Sequence, residues 1–94
     1  MSSWSEKIAD LPALPGVYLF KDARGEVLYV GKALSLASRV RSYLVHDPQR
    51  PQMDEMMARA TDVDTILTGT EVEALLLEST LIRQHRPHYN ILLK

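Results

Sequence analysis

The sequence predicts a small α/β domain of the α+β type, with a largely antiparallel sheet of about three strands flanked by helices. Three observations carry this. Two short apolar runs, "GVYLFK" and "VLYVGK", are separated by the turn-forming "DARG", and a hairpin forces at least one antiparallel pair. A third strand-like run, "DVDTIL", follows much later in the chain. After it, Thr70 and Glu73 form an S/T-x-x-E capping box that opens a long helical stretch. At 94 residues the chain holds one core, so 1–94 is expected to be a single domain.

In chain order, "SSWSEKIADLP" predicts a short helix opened by Ser and stopped before Pro12. Residues 16–21 and 27–32 predict two strands rich in Val, Leu and Tyr, with Asp22–Gly25 as the turn. "SLASRVRSYL" has helical spacing: Leu36, Val40 and Leu44 share one stripe, and Arg39 and Tyr43 lie one turn apart on a neighbouring face. "VHDPQRPQ" is a loop, "MDEMMARA" a helix, and "DVDTILTG" a strand ending at Gly69. The long helix is expected from Glu71 to about Arg86, before Pro87, and the tail "HYNILLK" is expected to be extended. Because the apolar run Ile91–Leu93 has no polar tail behind it, the chain reads as a domain cut from a longer protein, a true C-terminus being the alternative.

With 46% hydrophobic and 24% charged residues, the composition is that of an ordinary globular protein. No apolar run approaches the ~20 residues of a membrane span, and the start lacks the layout of a secretory signal. The absence of cysteine excludes disulfide frameworks and thiolate metal sites and suits a reducing, cytoplasmic setting. Net charge is −1, but basic stretches at 31–53 and 81–94 bracket an acidic one at 54–80. Folding can bring the basic stretches onto one face, or leave them as a solvated mixed surface.

Several residues stand out chemically. A four-residue loop at 22–25, or a two-residue loop at 23–24, places Tyr18 directly across from Tyr29; a three-residue loop breaks that pairing. Cross-strand aromatic pairs also stabilise sheets by themselves, so packing alone accounts for the two tyrosines. Gly31 ends its strand where a backbone can approach a ligand or bulge, and Lys32 projects where the chain leaves the sheet. Glu78 falls in the middle of an apolar stripe with Ala74, Leu75, Leu81 and Ile82. A charge there needs a partner such as Lys32 or an Arg, a wet helix rim, or a bound cation. Arg39 and Tyr43 can meet a phosphate together or simply face water. His46, His85 and His88 show no metal-ligand spacing, and the latter two join Arg83 and Arg86 in a basic patch. No P-loop, GxGxxG or nucleophile elbow occurs.

The order of these signals is more specific than any one of them. Gly16-Val17-Tyr18 and Tyr29-Val30-Gly31-Lys32 resemble the paired signature of the GIY-YIG endonuclease family. "GKALSLASRVRSYL", "TGTEVEALLLESTLI" and "RQHRPHYNILLK" are similar to further blocks of one branch, the N-terminal nuclease domains of UvrC in bacterial nucleotide excision repair. The resemblance runs from about Leu11 to Lys94. It implies active-site roles for Tyr18, Tyr29, Lys32, Arg39, Tyr43 and Asn90, and a metal-holding role for Glu78 as sole protein carboxylate of one divalent cation, Mg²⁺ or Mn²⁺. Tyr29 is implied as general base and Arg39 as a phosphate ligand; Tyr18, Tyr43 and Asn90 orient water, phosphate or other side chains. The implied activity is metal-dependent DNA phosphodiester hydrolysis 3′ to a lesion, with damaged duplex DNA and UvrB as partners and no membrane. The isolated domain is expected to be monomeric and to bind DNA weakly. Three positions depart from the pattern: Val at 17 and 30 replaces the namesake Ile, Leu34 stands where relatives often carry Lys, and Gln52 lies near an expected basic residue.

Overall fold

Five consecutive buried residues, Gly16 to Phe20, make β1 (Gly16–Lys21) a strand covered on both faces, which is why its sequence does not alternate. In the computed structural model, which describes residues 3–45 and 47–92, β1 is the middle strand of an antiparallel sheet. It is flanked by β2 (Val27–Ala33) and β3 (Asp62–Leu67) in the order β2-β1-β3. Around the sheet lie α1 (Ser3–Ala9), α2 (Leu36–Ser42), α3 (Pro51–Arg59), α4 (Glu71–His85) and α5 (His88–Leu92). One sheet face presents Tyr18, Phe20 and Val63 to Ile8, Leu36, Val40, Met53, Met56 and Tyr89. The other presents Val17, Leu19 and Val30 to Ala74, Leu77, Leu81 and Ile82 of α4. The expected three-stranded, largely antiparallel α/β architecture is therefore what forms. Among the described residues no helix is long and apolar enough to cross a membrane.

The hairpin register differs from the expected one. Tyr18 pairs with Gly31, and Tyr29 pairs with Phe20. The loop is the three-residue kind: Asp22 and Glu26 are joined by an N–H···O bond of 3.0 Å, and Gly25 adopts φ 81°, a turn followed by a left-handed glycine. Asp22 Oδ1 accepts from the N–H groups of Arg24 and Glu26, which holds the turn. Alone, that odd-length loop would send Tyr29 to the wrong face. A second irregularity undoes it: between Phe20 and Lys21 the partner steps from Tyr29 to Val27, leaving Leu28 as the extra residue. Leu28 and Tyr29 accordingly both pack toward the Tyr18 face. Two one-residue slips cancel, so the tyrosines share a face diagonally rather than directly.

Helix boundaries follow their caps. Thr70 accepts from the Glu73 N–H at 3.1 Å as the capping box predicts, but the Glu73 carboxylate accepts from the Gly69 N–H at 2.7 Å, one residue before the N-cap N–H that the box uses. Helix α2 is shorter than predicted. It stops at Ser42 with Tyr43 as its C-cap, so Leu36 and Val40 are fully buried whereas Leu44 is 57% exposed. Helix α3 starts at Pro51, whose missing N–H costs nothing in a first turn. The tail is not extended as expected. Arg86 closes α4 in the left-handed region at φ 45°, buried Pro87 redirects the chain, and α5 follows. Coiling there carries Tyr89 into the core at 0% exposure. The remaining residues of that tail, 93 and 94, and His46 lie outside the described residues.

Candidate active site

β2 is an edge strand, and a concavity of about 560 Å³ wraps over that edge. From the sheet face come Tyr18 and Tyr29, from α2 Arg39, from its C-cap Tyr43, from the strand end Lys32, and from α4 on the opposite face Glu78. The three phenol rings are mutual neighbours, with centroids 5.8–6.2 Å apart. Tyr18 and Tyr43 are buried and share an O–H···O hydrogen bond of 2.8 Å. Tyr29 is the half-buried member of the trio.

Gly31 does not clear space for a ligand, as its place at the strand end suggested. The Tyr18 ring fills that space: a Cβ on Gly31 would lie inside van der Waals contact with the ring and its hydroxyl. Gly31→Ala therefore either shifts a buried ring or bends the edge strand. Overpacking of this kind typically costs ~1–3 kcal/mol, so the unfolding free energy should fall by that amount and the urea midpoint with it. An unchanged midpoint would show that Tyr18 moves freely.

Charge in the cleft is mixed. Lys32, Arg39 and Arg50 are exposed cations on its wall; Glu78 and Asp47 are its carboxylates. Asp47 is engaged, accepting from the Gln49 N–H at 2.9 Å. Among the described residues no salt bridge reaches Glu78, which is half-buried on the α4 side. Burial pushes the Tyr29 phenol above its ordinary value; Tyr43 and then the Glu78 carboxylate raise it further, against a smaller opposing effect of Arg50. The Tyr18 phenol is also pushed up, by burial first and then by Tyr43. Both are neutral at ordinary pH. No group of three or more His, Cys, Asp or Glu able to hold a metal occurs among the described residues. A cation held here would thus rest on Glu78 with water and phosphate oxygens, which suits Mg²⁺ because it keeps much of its hydration.

Asn90 works on the backbone. Its Oδ1 accepts from the Val30 N–H at 2.8 Å and its Nδ2 donates to the Val30 carbonyl at 2.9 Å. One side chain thus satisfies the outward-facing peptide groups of the edge strand between Tyr29 and Gly31. Tyr89 anchors the helix that delivers it, donating to Glu55 and accepting from Arg59 at 3.3 Å.

Residues 14–91 match the family described as the UvrC-like GIY-YIG domain. The chain belongs to that family. UvrABC system protein C of Carboxydothermus hydrogenoformans is 55% identical over 96 residues, covering 100% of this chain and 16% of its own length. Its counterpart in Methanosarcina acetivorans is 57% identical over 84 residues, covering 89% of this chain and again 16% of its own length. The chain thus spans about one-sixth of the length of these relatives. The crystal structure of the GIY-YIG N-terminal endonuclease domain of UvrC from Thermotoga maritima, bound to magnesium as its catalytic divalent cation, is similar at a TM-score of 0.84 and 39% identity. It covers 95% of this chain and 97% of that one. Point mutants of that domain, with tyrosine changed to phenylalanine or asparagine to alanine, were likewise crystallised with the cation.

Of the residues the GIY-YIG resemblance singled out, Tyr18, Tyr29, Lys32, Arg39, Tyr43 and Glu78 line the one cleft. Asn90 is not among the lining residues and acts from behind β2. Sequence reasoning missed Arg50, which lines the cleft beside Tyr29. The signal was the basic stretch 31–53, whose cation near the loop was sought at Gln52; Arg50 supplies it two residues earlier. His85 and His88 are exposed with Arg83 and Arg86, as a basic patch requires.

Proposed function

We propose that this chain is the N-terminal nuclease module of a longer, cytoplasmic UvrC-type protein and hydrolyses a DNA phosphodiester with one divalent cation, Mg²⁺ or Mn²⁺. In that longer protein it makes the incision 3′ to a lesion after UvrB has been loaded on the damaged duplex. The observation that carries this reading is the position of Glu78: a half-buried carboxylate facing a half-buried tyrosine across a cleft walled by Lys32, Arg39 and Arg50. Its support from relatives is the similar UvrC domain crystallised with its catalytic cation.

In the mechanism, Lys32, Arg39 and Arg50 hold the non-bridging oxygens of the scissile phosphate, with Arg39 meeting the charge that builds in the transition state. Tyr29, in its minor phenolate form, takes the proton from the attacking water as the P–O3′ or P–O5′ bond breaks, and solvent water protonates the leaving oxygen. Glu78 holds the cation, which when bound supplies charge neutralisation at the phosphate and the leaving oxygen. Tyr18 and Tyr43, bonded to each other, fix the ring against which Tyr29 rests. Asn90 keeps β2 in register beneath it.

The test is strand mapping. Full-length protein, UvrB and an end-labelled duplex with one lesion should give a nick on the 3′ side when Mg²⁺ is present and none after EDTA. Nicking that survives EDTA would sink the metal assignment, and loss of only the 5′ nick on inactivating this domain would sink the 3′ assignment.

A further inference from the structure

We propose that the nicked strand leaves the cleft along the outer face of α2, its sugar-phosphate backbone running past Arg39, Ser38 and Ser35. This rests on the DNA nuclease reading and adds a subsite to it. A site built around one phosphate must also accept the phosphates on either side of it, because each strand carries a charge every ~3.4 Å of helix rise. The main cleft continues in two directions. One extension, about 360 Å³, is lined by Leu34, Ser35, Ser38, Arg39 and Ser42, and shares Arg39 and Ser42 with the main cleft. The other, about 220 Å³, passes between Lys32, Arg39 and the start of α4, where Glu71 lines it.

Charge and donors decide between the two. The α4 route is lined by Lys32 and Arg39 but also by Glu71, so a polyanion taking it meets a carboxylate at the start of that helix. Among the described residues no carboxylate lines the α2 route, whose cation is Arg39; Arg41 of the same helix is turned away, donating to the Ala9 carbonyl at 3.0 Å. The exposed face of α2 also has free donors. Among the described residues the Ser38 hydroxyl makes no hydrogen bond, and Ser35 Oγ accepts from the Ser38 N–H at 3.3 Å, which leaves its own O–H to donate outward. Ser42 is different: its hydroxyl is already spent on the Arg39 carbonyl at 2.6 Å, so it shapes the path without serving as a phosphate donor. An arginine shared by both cavities, followed by hydroxyl donors, is the kind of surface that positions a backbone without reading sequence.

The experiment measures binding of a short fluorescein-labelled DNA duplex to the 94-residue chain by anisotropy, at low salt with EDTA to prevent cleavage. Ser38→Asp keeps α2 folded, since it completes an S-x-x-D cap with Ser35, and should weaken binding by about five- to tenfold. Ser38→Lys should tighten it, Glu71→Gln should change it less than about twofold, and Arg39→Ala should weaken it most. If Arg39→Ala weakens binding and Ser38→Asp does not, the α2 path is wrong and the nuclease reading stands. If Glu71→Gln tightens binding while Ser38→Asp is silent, the strand runs past α4 instead. If even Arg39→Ala is silent, the path falls together with the assignment of this cleft to DNA.

Discussion

Glu78→Ala is expected to abolish Mg²⁺-supported nicking, by at least about a thousandfold, and to leave the domain folded. The magnitude follows from what a bound cation supplies, several kcal/mol of transition-state charge stabilisation, with each ~1.4 kcal/mol worth a factor of ten in rate. The other acid of the cleft, Asp47, is held by the Gln49 N–H, whereas Glu78 is the carboxylate that acts on Tyr29. The folded state loses little. No salt bridge among the described residues depends on Glu78, Ala is the better helix former, and the charge leaves a stripe shared with Leu81 and Ile82. The melting temperature should therefore stay level or rise, the pattern of a site that holds function against stability. Three readouts check this: single-turnover nicking, the melting curve, and Mn²⁺ binding by calorimetry. A variant that nicks within tenfold of wild type, or binds Mn²⁺ as tightly, would place the cation elsewhere.

What made Glu78 legible in the sequence was local periodicity, which needs only the helix. The helical phase put one carboxylate on an apolar stripe, of which Ala74, Leu81 and Ile82 pack as expected while Leu75 is 49% exposed and Leu77 packs in its place. The central burial of β1 went unread, although an apolar run without alternation is the mark of a strand covered on both faces. The hairpin register was not legible. It depends on two separate one-residue choices, the left-handed Gly25 and the bulge at Leu28, and pattern alone cannot show that they cancel. The role of Gly31 was misassigned because the ring that occupies its space belongs to the neighbouring strand. Asn90 reaches Val30 across sixty positions of sequence; such a contact exists only after Arg86 turns left-handed and Pro87 redirects the chain. Arg50 escaped notice because it sits in a proline-flanked loop with no period to mark its direction.

Tyr29→Phe is expected to slow nicking by ~10²–10⁴, the usual contribution of a positioned base, with DNA affinity unchanged. The hydroxyl has the access the role needs, since Tyr29 is half-buried on the cleft while Tyr18 and Tyr43 are buried and bonded to each other. Its acidity gives the sharper test. An unperturbed tyrosine ionises near pH ~10. In this cleft burial, Tyr43 and the Glu78 carboxylate all raise that value, Arg50 opposing. The base form is therefore a minority throughout the neutral range and grows about tenfold per pH unit as pH rises toward the pKa. Neutralising Glu78 with a bound cation removes one of the raising effects, so the phenol should be more acidic with Mg²⁺ than without it. The wild-type rate at saturating Mg²⁺ should climb with pH between neutrality and the alkaline limit, and the Phe variant should lose that slope as well as the rate. Tyr29 absorbance near 295 nm, followed in a variant with Tyr18, Tyr43 and Tyr89 changed to Phe, should titrate at lower pH once Mg²⁺ is added. A Phe variant that is slow but keeps the wild-type slope would assign the proton transfer to another group and leave Tyr29 an orienting one.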